Sequence, residues 1–227
     1  MISVIIPAYI PTKMHHSLFL RALHSLENQT FKEFEVICVL NGCYTSYEEI
    51  IDSTKNNNLH IRFFELNGKA SGAIARNLGV KQSNYELIAQ LDVDDQYDSF
   101  KLEKQYKFFT SQPEYDFVGT LAADFHPNGQ INDSCFAPGQ YQEHEQIAAA
   151  LKHENVMCHS SVMFKKTSFL KLGGYNVTNK PGDIWPEYGT RMWEDWDLWK
   201  RAVKNGMKMY NLTERLYYWS IGTGVER

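Results

Sequence analysis

The sequence predicts an α/β fold with a central, mostly parallel sheet. Three observations lead there. Short β-branched runs recur through the first third of the chain. Amphipathic stretches of helical length separate them, which imposes right-handed crossovers. Turn-forming or acidic residues stand just after the runs, where open parallel sheets bind ligands. With 227 residues, 43% apolar and 22% charged, the chain suits one globular domain with a sizeable core.

Ile2–Ile6 is a strand buried on both faces, stopped by Pro7. His16–Asn28 follows as a helix whose stripe is Leu18, Leu20, Ala22, Leu23 and Leu26. Phe34–Leu40 is the second strand, ended by the turn pair Asn41-Gly42. Tyr47–Lys55 reads as a polar helix, His60–Glu65 as the third strand, Ala70–Gln82 as a helix and Tyr85–Leu91 as the fourth strand. Pro7-Ala8-Tyr9, Asn41-Gly42 and Asp92–Asp95 should therefore converge on one rim of the sheet.

The second half is less regular. Ser99–Phe109 is a helix, and Asp116–Asp124 and Ile131–Phe136 are strands around the turn His126-Pro127-Asn128-Gly129. Glu143–Lys152 is helical, Ser161–Phe164 a strand, and Thr167–Leu172 a short helix closed by Gly173-Gly174. The stretch 176–192 carries prolines and glycines and reads as a loop. Glu194–Asn205 is a helix stopped by Gly206.

The net charge of −4 comes without a basic stripe, which argues against a nucleic-acid partner. Cys38, Cys43, Cys135 and Cys158 show no metal spacing and read as reduced thiols, pointing to the cytoplasm. No apolar run approaches the ~20 residues of a membrane span, and no leader peptide is apparent.

Three acidic or basic groupings can carry chemistry. Asp92-Val93-Asp94-Asp95 crowds carboxylates after a buried strand, which suits a hard divalent cation with open positions for phosphate, or else an acidic turn capping the next helix. Arg76, in the small-residue stretch Gly68–Gly79, offers a planar fork for phosphate, or an ion pair within a packed helix. Trp193-Glu194-Asp195-Trp196-Asp197 opens a helix: the acids favour its dipole, yet with tryptophans interleaved they also suit a sugar site with a general base. His159 is a further candidate for ligand contact.

In their order and spacing these segments resemble the family 2 glycosyltransferases of the GT-A fold. The resemblance rests on Ser3–Tyr9, Ser25–Phe31, Phe34–Val39, Ala75-Arg76-Asn77-Leu78-Gly79, Leu91–Asp95, His159–Phe164, Gly173-Gly174-Tyr175 and Glu194–Leu198, and it runs over nearly the whole chain. It implies a single Rossmann-like domain with a smaller acceptor-side subregion, 1–98 forming the nucleotide-sugar-binding half and 99–227 the acceptor-binding half. Pro7, Ala8 and Tyr9 would border the nucleoside, and Arg76 the diphosphate. Asp92 and Asp94, flanking Val93, would bind Mn²⁺ or Mg²⁺, Asp94 being the more direct ligand. Asp195 would be the catalytic base, with Glu194, Trp193 and His159 on the acceptor side. The implied reaction is inverting transfer from a nucleotide-diphosphate sugar, by default UDP with dTDP or GDP as alternatives, to a hydroxyl of a glycan or other acceptor. Two departures stand out. Leu40-Asn41-Gly42-Cys43 replaces the family's acidic pair, so Asn41 would read the base by its amide. Tyr217-Tyr218-Trp219 is not followed by the family's histidine, leaving an ion to Asp94, phosphate and water. The rival readings are a sugar nucleotidyltransferase, which would want a basic glycine-rich loop where Pro11-Thr12-Lys13 stands, and a catalytically degenerate nucleotide-sugar binding module.

Overall fold

The computed structural model describes residues 1–134, 141–180 and 182–223. Four parallel strands form its first half in the order β3-β2-β1-β4: β1 (Ile2–Ile10), β2 (Phe34–Cys43), β3 (Ile61–Glu65) and β4 (Leu87–Gln90). Strand β1 is central, and its alternate side chains feed two separate cores. Ile2, Val4, Ile6 and Ala8 meet Phe19, Ala22, Leu23 and Leu26 of helix α1 (Lys13–Glu27) on one face. Ile5 meets Ala75 and Val80 of helix α3 (Gly72–Gln82) on the other. Burying each such aliphatic chain stabilises the fold by roughly 1.5–3 kcal/mol. Helix α3 lies so close to β1 that a Cβ at Gly79 would fall 2.4 Å from Ile5 Cγ2. Thr12, Ser46 and Ser71 cap α1, α2 (Tyr47–Asp52) and α3 through their hydroxyls.

Two expected strand ends are displaced. Pro7 does not stop β1, which continues to Ile10 beside β2. The carbonyl of Ile5 faces β4, where it accepts from Leu91 N–H, and Pro7 shares that orientation by the two-residue repeat. The β4 ladder has ended by then, so the missing proline N–H breaks no bond. Asn41-Gly42 likewise lies within β2, Gly42 taking a φ of +88° where the β1–β2 register shifts.

The second half extends the same sheet. Strands β5 (Gln96–Tyr97), β6 (Tyr115–Phe125), β7 (Ile131–Asp133), β8 (Met163–Lys165) and β11 (Lys208–Ser220) continue the order as β4-β8-β6-β11-β5, with β7 paired to β6. Strand β8 is antiparallel to both β4 and β6, while β11 runs parallel to β6. Helices α4 (Lys101–Ser111), α5 (His144–Ala150), α6 (Lys166–Lys171) and α7 (Glu194–Lys204) complete the layers. The anticipated loop 176–192 contains a small hairpin, β9 (Ile184–Trp185) with β10 (Thr190–Arg191). The predicted segment Ser161–Phe164 starts as a 3-10 turn, His159–Ser161, before β8. The strand predicted as Ile131–Phe136 is present to Asp133; Cys135 and Phe136 lie outside the described residues. Cys38, Cys43 and Cys158 are free thiols, as expected.

Asn77 ties the two halves together. Its Nδ2 donates to Tyr175 O and its Oδ1 accepts from Tyr175 N, both at 2.9 Å. The turn at Gly173 and Gly174 brings the chain into reach, both glycines having positive φ. Among the described residues no helix is long and apolar enough to cross a membrane.

Candidate active site

The expected rim exists. Pro7 and Tyr9, past the part of β1 that pairs with β4, Asn41 of β2, and Asp92, Val93 and Asp94 beyond β4 all line one cavity of about 910 Å³. The second half adds Asn155, His159, Trp193, Glu194 and Asp195 to the lining. Ala8 is the exception among the predicted residues. Strand alternation turns its side chain into the core, where it is fully buried.

Tyr9 brings an aromatic ring to the cavity lining. The Tyr9 ring packs beside Gly42, where a Cβ would come within 3.3 Å of it, and Lys69 Nζ lies 4.6 Å from its centroid. Asn41 has a structural task here. Its Nδ2 donates to Ala70 O at 2.8 Å and its Oδ1 accepts from Ala70 N at 2.6 Å. The amide thus fixes the loop carrying Lys69 and Ser71 to β2, with much of its hydrogen-bonding capacity spent on that backbone. Lys69 was not singled out in the sequence, because nothing local marks it as facing Tyr9.

The acidic cluster separates into three roles. Asp92 Oδ1 accepts from Arg76 Nη2 at 2.6 Å, and Arg76 Nη1 reaches Glu194 Oε1 at 3.4 Å. Burial opposes the Arg76 charge, but the two carboxylates outweigh it and hold the guanidinium charged. Gly72 leaves room for this fork: a Cβ there would sit 2.6 Å from Arg76 Nη1. Both readings of Arg76 therefore meet, since it makes the ion pair and also lines the cavity. Asp94 Oδ2 accepts from Thr223 Oγ1 at 2.7 Å, and its backbone carbonyl accepts from Arg21 Nη2 at 2.8 Å. Asp95 is structural, fully buried and bound by Tyr217 Oη and by Ser220 N at 2.7 Å. Arg21, a residue the sequence patterning passed over, sits beneath the cluster and also reaches Ser220 Oγ.

Asp195 opens α7 at the cavity wall. Its Oδ2 accepts from Asn155 Nδ2 and its Oδ1 from Trp196 N, each at 2.8 Å. Burial first, and then repulsion from Glu194, pushes its carboxyl up to about 6 against those stabilising bonds. Such a group is mostly ionised at neutral pH yet a better proton acceptor than an ordinary aspartate. His159 Nε2 lies 2.8 Å from Tyr175 Oη, which in turn accepts from Gln90 Nε2, so the imidazole is oriented from behind. Trp193 is partly exposed at the mouth.

The model of the family described as "Glycosyl transferase family 2" matches residues 3–173. The chain belongs to glycosyl transferase family 2. It is 30% identical to the O-antigen biosynthesis glycosyltransferase WbnJ of Escherichia coli, over 88% of this chain and 73% of that protein. It is 27% identical to the E. coli UDP-Gal:alpha-D-GlcNAc-diphosphoundecaprenol beta-1,3-galactosyltransferase, over 94% of this chain and 72% of that one. The crystal structure of S. aureus TarS 1–349 in complex with UDP superposes with a TM-score of 0.72 at 18% identity, covering 97% of this chain and 60% of TarS 1–349. The complex of TarS 1–349 with UDP-GlcNAc gives 0.73 at 17% identity, covering 96% and 58%. At that identity the likeness speaks for the fold, which is the GT-A fold anticipated from the sequence. The nucleotidyltransferase alternative falls away with the family.

Proposed function

We propose that this glycosyltransferase takes a nucleotide-diphosphate sugar, UDP being the leading nucleotide and dTDP or GDP the alternatives, and transfers the sugar with inversion to a hydroxyl of a glycan or other acceptor. The observation that carries this reading is the division of the cavity. Arg76, Asp92 and Asp94 line it as a charged group at the sheet rim, while Asp195 lines it from α7 as a buried carboxylate pushed up to about 6.

Tyr9 and Lys69 would hold the nucleobase, and Asn41 would position their loop. Asp195 would take the proton of the attacking acceptor hydroxyl through a lone pair left over by Asn155 and Trp196. The acceptor oxygen bonds to the anomeric carbon as the bond to the diphosphate breaks, and a single displacement inverts that centre. Trp193 and His159 would border the acceptor.

A divalent cation fits the donor set. Asp92 and Asp94 line the same cavity and would offer hard carboxylate oxygens to the ion. Among the described residues no cluster of three or more His, Cys, Asp or Glu side chains could enclose an ion, so phosphate and water would complete its shell. Bound there, Mn²⁺ or Mg²⁺ would offset charge developing on the departing diphosphate, an effect worth several kcal/mol.

The test is transfer from UDP-, dTDP- and GDP-sugars with Mn²⁺, for wild type and Asp195→Asn. Asp195→Asn should lose nearly all transfer while still binding the nucleotide. Full transfer by that variant would remove Asp195 as the base. A wild-type chain that binds UDP but neither transfers nor hydrolyses the donor would be a binding module instead.

A further inference from the structure

We infer that His15, at the start of α1, is a direct hydrogen-bond donor to the diphosphate of the bound nucleotide. The inference rests on the nucleotide-sugar reading above and assigns a phosphate contact that the resemblance does not supply.

His15 lines the cavity, yet the residue is only 4% exposed. Its Nε2 is buried and has no hydrogen-bond partner among the described residues. A buried ring nitrogen left unsatisfied is costly, so such an atom beside a cavity implies a ligand group that completes it. The other nitrogen is held: Nδ1 lies 2.7 Å from Thr12 Oγ1. Thr12 is the N-cap, and its oxygen already accepts from His15 N–H at 3.4 Å. When the Thr12 hydroxyl donates into Nδ1, every polar group of the pair is used. In that arrangement the proton sits on Nε2 and the nitrogen facing away from the cap is a donor, the form that an anion beside it would select.

A donor in that place calls for an anion. It sits in the first turn of a helix of 15 residues that carries no acidic side chain in that turn, so the helix dipole favours negative charge there. The same helix sends Arg21 to the backbone of Asp94, which puts α1 on the Asp94 flank of the cavity. Asp94 belongs to the charged group assigned to the diphosphate, and Tyr9, assigned to the nucleobase, precedes the helix. Of the parts of a nucleotide sugar, the diphosphate matches this combination of donor, dipole and position.

The experiment measures the affinities of uridine, UMP and UDP, with dTDP and GDP alongside, by quenching of tryptophan fluorescence in the full chain. Wild type is compared with His15→Phe, which keeps a ring but removes the donor, and with His15→Gln, which restores an N–H at similar reach. A hydrogen bond to a charged group predicts that His15→Phe weakens UDP by about tenfold or more, leaves uridine unchanged, and is partly rescued by His15→Gln. In wild type labelled with ¹⁵N-histidine, the His15 Nε2 resonance should move with UDP and stay still with uridine, whether or not the variants fold. Equal UDP affinity in His15→Phe, or equal weakening of uridine and UDP, overturns the assignment while leaving the donor reading intact. Wild type that binds none of UDP, dTDP and GDP overturns both.

Discussion

Replacing Asp195 by asparagine should make the protein more stable above pH 6 even as it removes the proposed base. The carboxyl is buried, and its ordinary value of 3.8 is pushed up to about 6. At 1.36 kcal/mol per pH unit, keeping it charged in the folded state costs about 3 kcal/mol. Between those two values the folded chain holds a proton that the unfolded chain has lost. The free energy of unfolding therefore falls as pH rises through the window and stays lower above it. Asparagine is neutral throughout and escapes that fall. It gives up one hydrogen bond, because its NH₂ must face either Trp196 N–H or Asn155 Nδ2, at about 1 kcal/mol. A net gain of about 2 kcal/mol remains at pH 8, which in a domain of this size raises the melting temperature by roughly 4–8 °C. Scanning calorimetry of both proteins at pH 8 and pH 4 measures it, and the advantage should disappear at pH 4. A variant that melts at or below wild type at pH 8 would refute the claim that Asp195 is a destabilised carboxylate.

For the wild-type enzyme, kcat/KM should climb tenfold per pH unit below about pH 6 and level off above it, as Asp195 loses its proton; a profile flat from pH 5 to 8 contradicts the assignment. Arg76→Met leaves Asp92 and Glu194 in a buried site without their shared cation, so urea denaturation should show a loss of about 3–5 kcal/mol. Arg76→Lys should recover only part of this, since an ammonium lacks the fork that meets both acids. Gly79→Ala should cost about 1–3 kcal/mol in urea denaturation by forcing α3, with Arg76 on it, away from Ile5.

The parallel half of the fold was legible because its strands are buried on both faces and read as unbroken β-branched runs, as Ile2–Ile6 does. The convergence of Tyr9, Asn41 and Asp92 on one rim followed from that topology alone. Strand β11 was not foreseen. It carries Lys208, Glu214 and Arg215, its burial pattern is irregular, and its pairing with β6 shifts register three times. No two-residue alternation survives that, so only tertiary pairing defines the strand. The roles within the acidic cluster were hidden for a related reason. Asp95 differs from Asp94 only in meeting Tyr217 and Ser220, partners that local sequence does not reveal. Asn41 and Arg76 likewise have their tasks set by Ala70 and Glu194.

Those bonds from the acidic loop to β11 bear on how the site comes into being. Asp95 and Tyr217 are separated by 122 positions, and Asp94 and Thr223 by 129. Contacts so distant in sequence form late, after local helices and neighbouring strands have gathered. During synthesis the four strands of the first half emerge long before the segment that pins their acidic loop. The nascent chain would hold a sheet edge and a cluster of mutually repelling carboxylates until β11 slides in beside β6. Ligand capture thus becomes a marker of completed folding, and a chain interrupted before Lys208 would keep much of the scaffold with its acidic loop unpinned.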